Sequence, residues 1–278
     1  MRYALLRMLR SRVAMASLLF ILFISLVALF APLIAPYPFE AADFEHILEP
    51  PSLRHWMGTD QLGRDLLSRI IYGARVSMMV GFVSALIALV IGFIYGSVSA
   101  LLGGKADNMM MRIVEVVYSL PDLLLVILIS VVIGRRLLGI CLALGLVRWA
   151  AVARLVRGQV LLLKEMAYIE AADAIGVRPA GKLWRHILPN TLGVVLVALT
   201  LSIPTSILAE STLSFLGLGI APPESSWGTL ASDGWKALKS FPHLILFPSL
   251  TIFLTILAFN FLGDGLRDAL DPRLAGRA

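Results

Sequence analysis

A single cysteine, Cys141, in 278 residues excludes a disulfide framework or a paired-thiol metal site within the chain. The four histidines, His46, His55, His186 and His243, stand singly in the sequence, and no H-E-x-x-H pair that would hold zinc occurs. Charge is scarce as well. Only 15% of residues are Asp, Glu, Lys or Arg, against about 25% in an ordinary soluble chain. With 59% hydrophobic residues, so few charges cannot keep the chain solvated, which excludes both a water-soluble domain and a disordered one. The apolar runs are long and unbroken, which excludes a transmembrane barrel with its short alternating segments. The remaining class is an all-α polytopic membrane protein, and at about 20 residues per span the length holds roughly five to seven helices with modest loops. No soluble catalytic domain fits in what is left.

Six apolar segments stand out: Val13–Ala35, Val76–Leu102, Met109–Gly134, Leu137–Val156, Thr191–Ala209 and Phe241–Leu262. The first follows Arg2, Arg7, Arg10 and Arg12, stops at Pro36 and Pro38, and is longer than the roughly 7–15 apolar residues of a secretory signal peptide. It therefore reads as a signal anchor, with residues 1–75 forming an N-terminal unit and residues 76–278 a five-span transmembrane domain. Gly92 and Gly96, four apart, permit close approach of another helix. The third segment is interrupted by Glu115 and Asp122, and Pro121 predicts a kink. Pro204 predicts another in the fifth.

The fourth segment carries Arg148 near its middle. A central charge costs about 2.5–3.5 kcal/mol on insertion scales while each Leu, Ile, Val or Phe returns about 0.3–0.6, so the span still inserts and Arg148 faces protein or water. We expect Arg148 to be mostly structural, together with Arg154 and Arg157 near the inner headgroups. Lys and Arg are concentrated on one set of alternate connections, which places both termini and the 158–190 loop in the cytoplasm and makes six spans. The formal net charge of +6 is scattered around the spans and reads as anchoring to the lipid bilayer; it is no nucleic-acid footprint.

The constellations of an enzyme are missing. Asp122 and Asp264 are carboxylates near spans, but nothing around them makes a protease motif. The run Gly176-Val177-Arg178-Pro179-Ala180-Gly181-Lys182 has the spacing of a phosphate-binding loop, yet Leu183 offers no hydroxyl to Mg²⁺ and no strand precedes it. No catalytic residue, bound cofactor or metal ligand is assigned to this chain.

The 158–190 loop has a pattern of its own. Met166, Ile169, Ala172 and Ile175 recur every three residues from Lys164 onward, while Lys164, Glu165, Glu170 and Asp173 lie off that stripe. Gly176 stands where a helix ends, Pro179 fits the first turn of a second short helix running to Leu188, and Pro189 closes it. These features describe either an ordinary surface loop or a helical hairpin, with the small Ala171 and Ala172 able to enter a groove on a partner.

Glu170-Ala171-Ala172, then Gly176, then Leu188-Pro189 resembles the E-A-A-x3-G-x9-I-x-L-P signature of inner-membrane permease subunits of binding-protein-dependent ABC importers. His186 departs from it, standing where the pattern has Ile. The peptide and nickel branch is resembled by Arg185-His186-Ile187-Leu188-Pro189-Asn190 and by the run from Trp56 to Asp65. Ser214-Phe215-Leu216-Gly217-Leu218-Gly219, Ser226-Trp227-Gly228 and the run from Asn260 to Pro272 resemble it too. Over nearly its full length the chain is similar to the second, or C, permease type of dipeptide and oligopeptide uptake systems.

The resemblance implies a transport subunit that binds no nucleotide, with ATP and Mg on two partner ATPase subunits. It further implies a homologous permease as heterodimer partner and an extracytoplasmic solute-binding protein. Glu170, Ala171, Ala172, Gly176, Leu188 and Pro189 would make or shape the contact with the ATPase. Glu210, Phe215, Gly217, Gly219 and Trp227 are the candidates for the pathway or its outer gate, with Glu210 either lining the path or snorkelling to the interface. Nickel and glutathione permeases share this architecture. A self-sufficient secondary carrier would show paired ionisable residues at mid-membrane and internal repeats, and neither is found here.

Overall fold

The computed structural model describes residues 11–174 and 176–270. Arg2, Arg7, Arg10, Ile175 and Asp271-Pro272 lie outside them. The described residues form helices α1 (Arg12–Leu29), α2 (Ala31–Ile34), α3 (Leu66–Leu102), α4 (Gly104–Ser119), α5 (Asp122–Ile133) and α6 (Leu137–Lys164). There follow α7 (Ala167–Ala174), α8 (Pro179–Lys182), a wider π-helical turn (Leu183–Ile187), α9 (Leu188–Phe215), α10 (Trp227–Lys236) and α11 (His243–Leu270). No strand occurs among the described residues. Among the described residues five helices are long and apolar enough to cross a membrane, and the count is six where α4 and α5, bent by 89°, are taken together as one broken span.

Several boundaries differ from the sequence reading for identifiable reasons. The second span begins at Leu66, ten residues before Val76, because Asp65 caps it: one carboxylate oxygen accepts both the Ser68 backbone N–H and the Ser68 hydroxyl at 2.7 Å. At 37 residues α3 is about 55 Å long, well beyond a hydrocarbon core of about 30 Å, and it runs across residue 75. The third span is folded by 89° where a kink was expected. Leu120, preceding Pro121, is held in extended backbone, so α4 stops and α5 starts afresh. Helix α6 continues to Lys164, α9 reaches Phe215 with Pro204 inside one unbroken helix, and α11 extends through Gly263 to Leu270.

The connection after α9 contains α10. Ser226 and Thr229 make a reciprocal capping box at its start.

Helices α3 and α6 run in the same direction and pack along most of their lengths. A Cβ on Gly92 would sit 2.6 Å from Val152 Cβ, and one on Gly145 would sit 2.6 Å from Ile87 Cγ2. The small residues are what let the backbones meet. One core joins α1, α3, α9, α10 and α11 around Trp227 and Phe259. A second lies around Ile140 and Leu144, and a third gathers Val156, Val160, Ile169 and Ile187 at the end carrying α7. Outward leucines and phenylalanines such as Leu19, Phe23, Leu128 and Phe253 are exposed, as a lipid-facing surface requires.

Candidate functional site

The hairpin of residues 165–187 is anchored from beneath. Ile169 and Ile187 are fully buried against Val156 and Val160, and the Lys164 amine donates to the Ala100 carbonyl at 2.9 Å, tying the end of α6 to the end of α3. Gly176 has φ +77°, and the Val177 N–H donates to the Ala172 carbonyl at 3.0 Å, closing α7 with the left-handed turn that glycine favours. The structure places Glu170, Ala171 and Gly176 on the exposed side and leaves Leu188 half-buried.

Three expectations change here. Ala172 is buried beneath the hairpin, so Ala171 alone of that pair is presented outward. Met166 leaves the apolar stripe and is exposed, because Glu165 and Met166 form the turn between α6 and α7. Pro189 does not close a helix. It sits in the first turn of α9, where its missing N–H costs nothing, and the hairpin runs straight into the next span. Sequence reasoning also missed Tyr168 and Trp184, both exposed, the latter by 67%. The available signal was a large aromatic, Trp184, in an otherwise polar loop.

At the opposite end, the run from Trp56 to Asp65 is a structural clasp. Asp60 accepts the Leu62 and Arg64 backbone N–H groups at 2.8 and 3.0 Å and pairs with the side chains of Arg64 and Arg69. His55 Nδ1 lies 2.9 Å from the other oxygen of the capping Asp65. Upstream of this run, the Asp43 carboxylate accepts the Glu45 backbone N–H and faces the His46 ring, which holds it below the usual carboxylate range.

The pathway candidates divide. Trp227 is fully buried, its backbone N–H donating to Ser77 Oγ and its indole N–H to the Ile70 carbonyl, both at 3.0 Å. It fastens α10 to α3. Glu210 is likewise fully buried and neither snorkels nor lines an open path. One of its oxygens accepts from Ser214 at 2.8 Å and Ser226 at 2.6 Å; the other has no hydrogen-bond partner. The snorkelling expectation assumed a helix ending at Ala209, but α9 continues past Glu210 to Phe215. Phe215 and Gly217 are exposed and, with buried Gly219, border a cavity of about 250 Å³ that Arg64, Arg135 and Lys236 also line.

Nearer the hairpin, Arg157 reaches Asp107 with two donors, at 2.7 and 2.6 Å, and Ser99 adds a third at 2.5 Å. Arg154 lies 4.5 Å over the Tyr118 ring. Arg148 donates to the Thr205 hydroxyl at 2.5 Å, the Thr205 carbonyl at 3.1 Å and Ser206 Oγ at 3.3 Å. Each of the three arginines thus has a protein partner, with Arg148 and Arg157 half-buried and Arg154 exposed.

A bundle of long apolar helices, presenting a small anchored hairpin at one end and a clasped cap at the other, defines a polytopic membrane subunit. The model of the binding-protein-dependent transport system inner membrane component matches residues 88–276, and the chain belongs to that family. Residues 1–51 match the N-terminal TM domain of oligopeptide transport permease C. The chain is 45% identical over 271 residues to the oligopeptide transport system permease protein OppC of Bacillus subtilis, covering 98% of this chain and 89% of that one. It is 46% identical over 269 residues to the dipeptide transport system permease protein DppC of the same organism, covering 96% and 84%. It is 42% identical to the glutathione transport system permease protein GsiD of Pectobacterium atrosepticum, covering 96% and 89%. Among solved structures, an inward-facing form of the MetNI methionine ABC transporter matches with a TM-score of 0.59 at 19% identity, covering 74% of this chain and 98% of that one. That likeness shows the fold.

Proposed function

We propose that this subunit forms half of the pathway of an ATP-driven importer for peptides, working with a homologous permease, two ATPase subunits and an extracytoplasmic binding protein. In this reading both termini and the 165–187 hairpin are cytoplasmic and the Asp60–Asp65 clasp lies outside. The observation that carries it is the hairpin itself. Glu170 and Ala171 are exposed on a short helix whose underside is locked by Ile169 and Ile187. Such an element moves as one piece when a partner pushes on it. It continues directly into α9, so displacement at the hairpin is delivered to the far end of a span. ATP and Mg belong to the ATPase partners.

Glutathione is favoured as a second substrate by the 42% identity to its permeases, and it is itself a peptide. The test is purification of the four-component complex, uptake of labelled di- and tripeptides into proteoliposomes, and identification of the ligand carried by the binding protein. Uptake that needs both ATP and binding protein supports the reading. Transport by this chain alone without ATP overturns it.

A further inference from the structure

Helices α6 and α9 leave one face open along their length. On α9 it carries Val194, Ala198, Leu201, Thr205, Leu208 and Thr212, which recur at alternating spacings of four and three and are half-buried or exposed. On α6 the matching side carries Arg148, Ala151, Leu155 and Gln159. Towards the hairpin, this face opens into a cavity of about 490 Å³ between Leu155, Gln159, Val197 and Leu201. Arg148 stands on that face, eleven residues into α6, where the neighbouring positions are apolar or hydroxyl-bearing; Gln159 and, across the cavity, Arg267 lie farther towards the hairpin. At about 1.5 Å per residue that is about 16 Å from the helix start, halfway through a hydrocarbon core about 30 Å thick.

The guanidinium is oriented but not neutralised. Its contacts to Thr205 and Ser206 use three of the five donors that a guanidinium carries. No carboxylate lies within ion-pair reach of it among the described residues, and Asp122 acts on it only from farther away. The two Nη donors directed at the one residue Thr205 leave Nε–H and the second Nη2–H, the side-by-side fork that takes a carboxylate with two parallel bonds. A charged group at this depth is held where it meets protein or a water-filled path.

We propose that Arg148 is a substrate-binding residue: the mid-membrane point at which a peptide in transit is held by its carboxylate. Thr205 and Ser206 aim the guanidinium into the path, and the open face of α6 and α9 is the side of this subunit that the path follows. The inference rests on the peptide-import reading and adds the group recognised and the residue that recognises it. Both a C-terminal carboxylate and an acidic side chain present the chemistry required.

The experiment uses the complete complex in proteoliposomes, with binding protein saturated by each of three probes: tri-alanine, tri-alanine amide and Ala-Ala-Asp amide. Arg148→Gln is expected to lower ATP-dependent tri-alanine uptake by about tenfold while amide uptake stays within about twofold, the loss of one charge-assisted contact. If Ala-Ala-Asp amide falls with tri-alanine, any carboxylate is held. If it follows the amide, the C-terminal group alone is held. Arg148→Lys keeps the charge and loses the fork, so it is expected to shift the acid-to-amide ratio in the same direction by a smaller factor and to serve if the Gln variant does not assemble. Equal losses for acid and amide in the assembled variant would overturn the inference and point to a carboxylate on the partner permease as the ligand of Arg148. Wild-type complex that imports none of the three would overturn the peptide reading and this inference together.

Discussion

Ser226 Oγ donates to Glu210 Oε1 across 2.6 Å, joining the first residue of the α10 cap to the last turns of α9. The same serine oxygen accepts the Thr229 backbone N–H at 3.0 Å, so one hydroxyl both starts a helix and docks it. Ser226→Ala removes both contacts and is expected to destabilise the subunit by about 1–2 kcal/mol. Glu210→Ala strands two hydroxyls and leaves a void, at about 2–4 kcal/mol. Thermal unfolding of the purified subunit in detergent should rank wild type above Ser226→Ala and that above Glu210→Ala, with Ser226→Thr close to wild type. An unchanged midpoint in Ser226→Ala would show that the buried contacts of Trp227 and Leu230 suffice to hold α10 in place.

Asp107 ties three helices together near the hairpin, accepting from Ser99 on α3 and from Arg157 on α6 while standing in the first turn of α4. Asp107→Asn keeps the shape but loses the charge and half of the two-point geometry, and we expect it to cost about 2 kcal/mol. The reversed pair Asp107→Arg with Arg157→Asp should recover part of that stability, because the charges still meet although Ser99 loses its acceptor. Thermal unfolding of the two single variants and the double variant forms the cycle that checks this.

Span existence was legible from the sequence because insertion is decided by composition, which is local. Boundaries were not, because capping and docking decide them. Asp65 lengthens α3 by ten residues through a cap whose partner His55 lies ten positions upstream, and no hydropathy window registers that. Gly92 and Gly96 mark a close helix contact in the sequence, and the structure supplies α6 as the partner. Glu170, Ala171 and Gly176 were found by motif and do occupy the outer side of the hairpin, while the inward turn of Ala172 depends on where α7 begins. For Arg148 the sequence shows the charge at mid-span, but the contacts to Thr205 and Ser206 and the open face beside it depend on how α6 packs against α9.

At the hairpin, Gly176→Pro and Glu170→Lys separate coupling from insertion. Proline fixes φ near −65° where the chain needs +77°, so α7 loses its closing turn. Glu170→Lys reverses a charge on the exposed face without touching the buried underside. Both variants should reach the membrane at wild-type levels, and ATP-dependent uptake should fall by about tenfold or more, as expected when an interfacial charge or an anchoring element is lost. Undiminished uptake in both would contradict a coupling role for this element. Trp184→Ala is expected to weaken co-purification of the ATPases in the same way, since a tryptophan exposed by 67% beside a helix is a ready anchor for a partner.

Two glycines give opposite expectations within the same pair of helices. Gly92 sits where a Cβ would come 2.6 Å from Val152 Cβ and 2.7 Å from the Trp149 carbonyl oxygen, on backbone that cannot easily yield. Gly92→Val should therefore separate α3 from α6 and cost about 1–3 kcal/mol or more, even though the substitution makes the span more hydrophobic and leaves insertion intact. Gly158 lies inside α6 with no atom within 4 Å of its would-be Cβ. Gly158→Ala should be neutral or stabilising by up to about 1 kcal/mol, because alanine loses less backbone entropy than glycine on entering a helix. The contrast is measured by unfolding of the two variants side by side in the same detergent. A Gly92→Val subunit as stable as wild type would mean that the two helices can slide apart without loss. The tight crossing would then be dispensable as the frame that holds Arg148 and the hairpin in fixed relation.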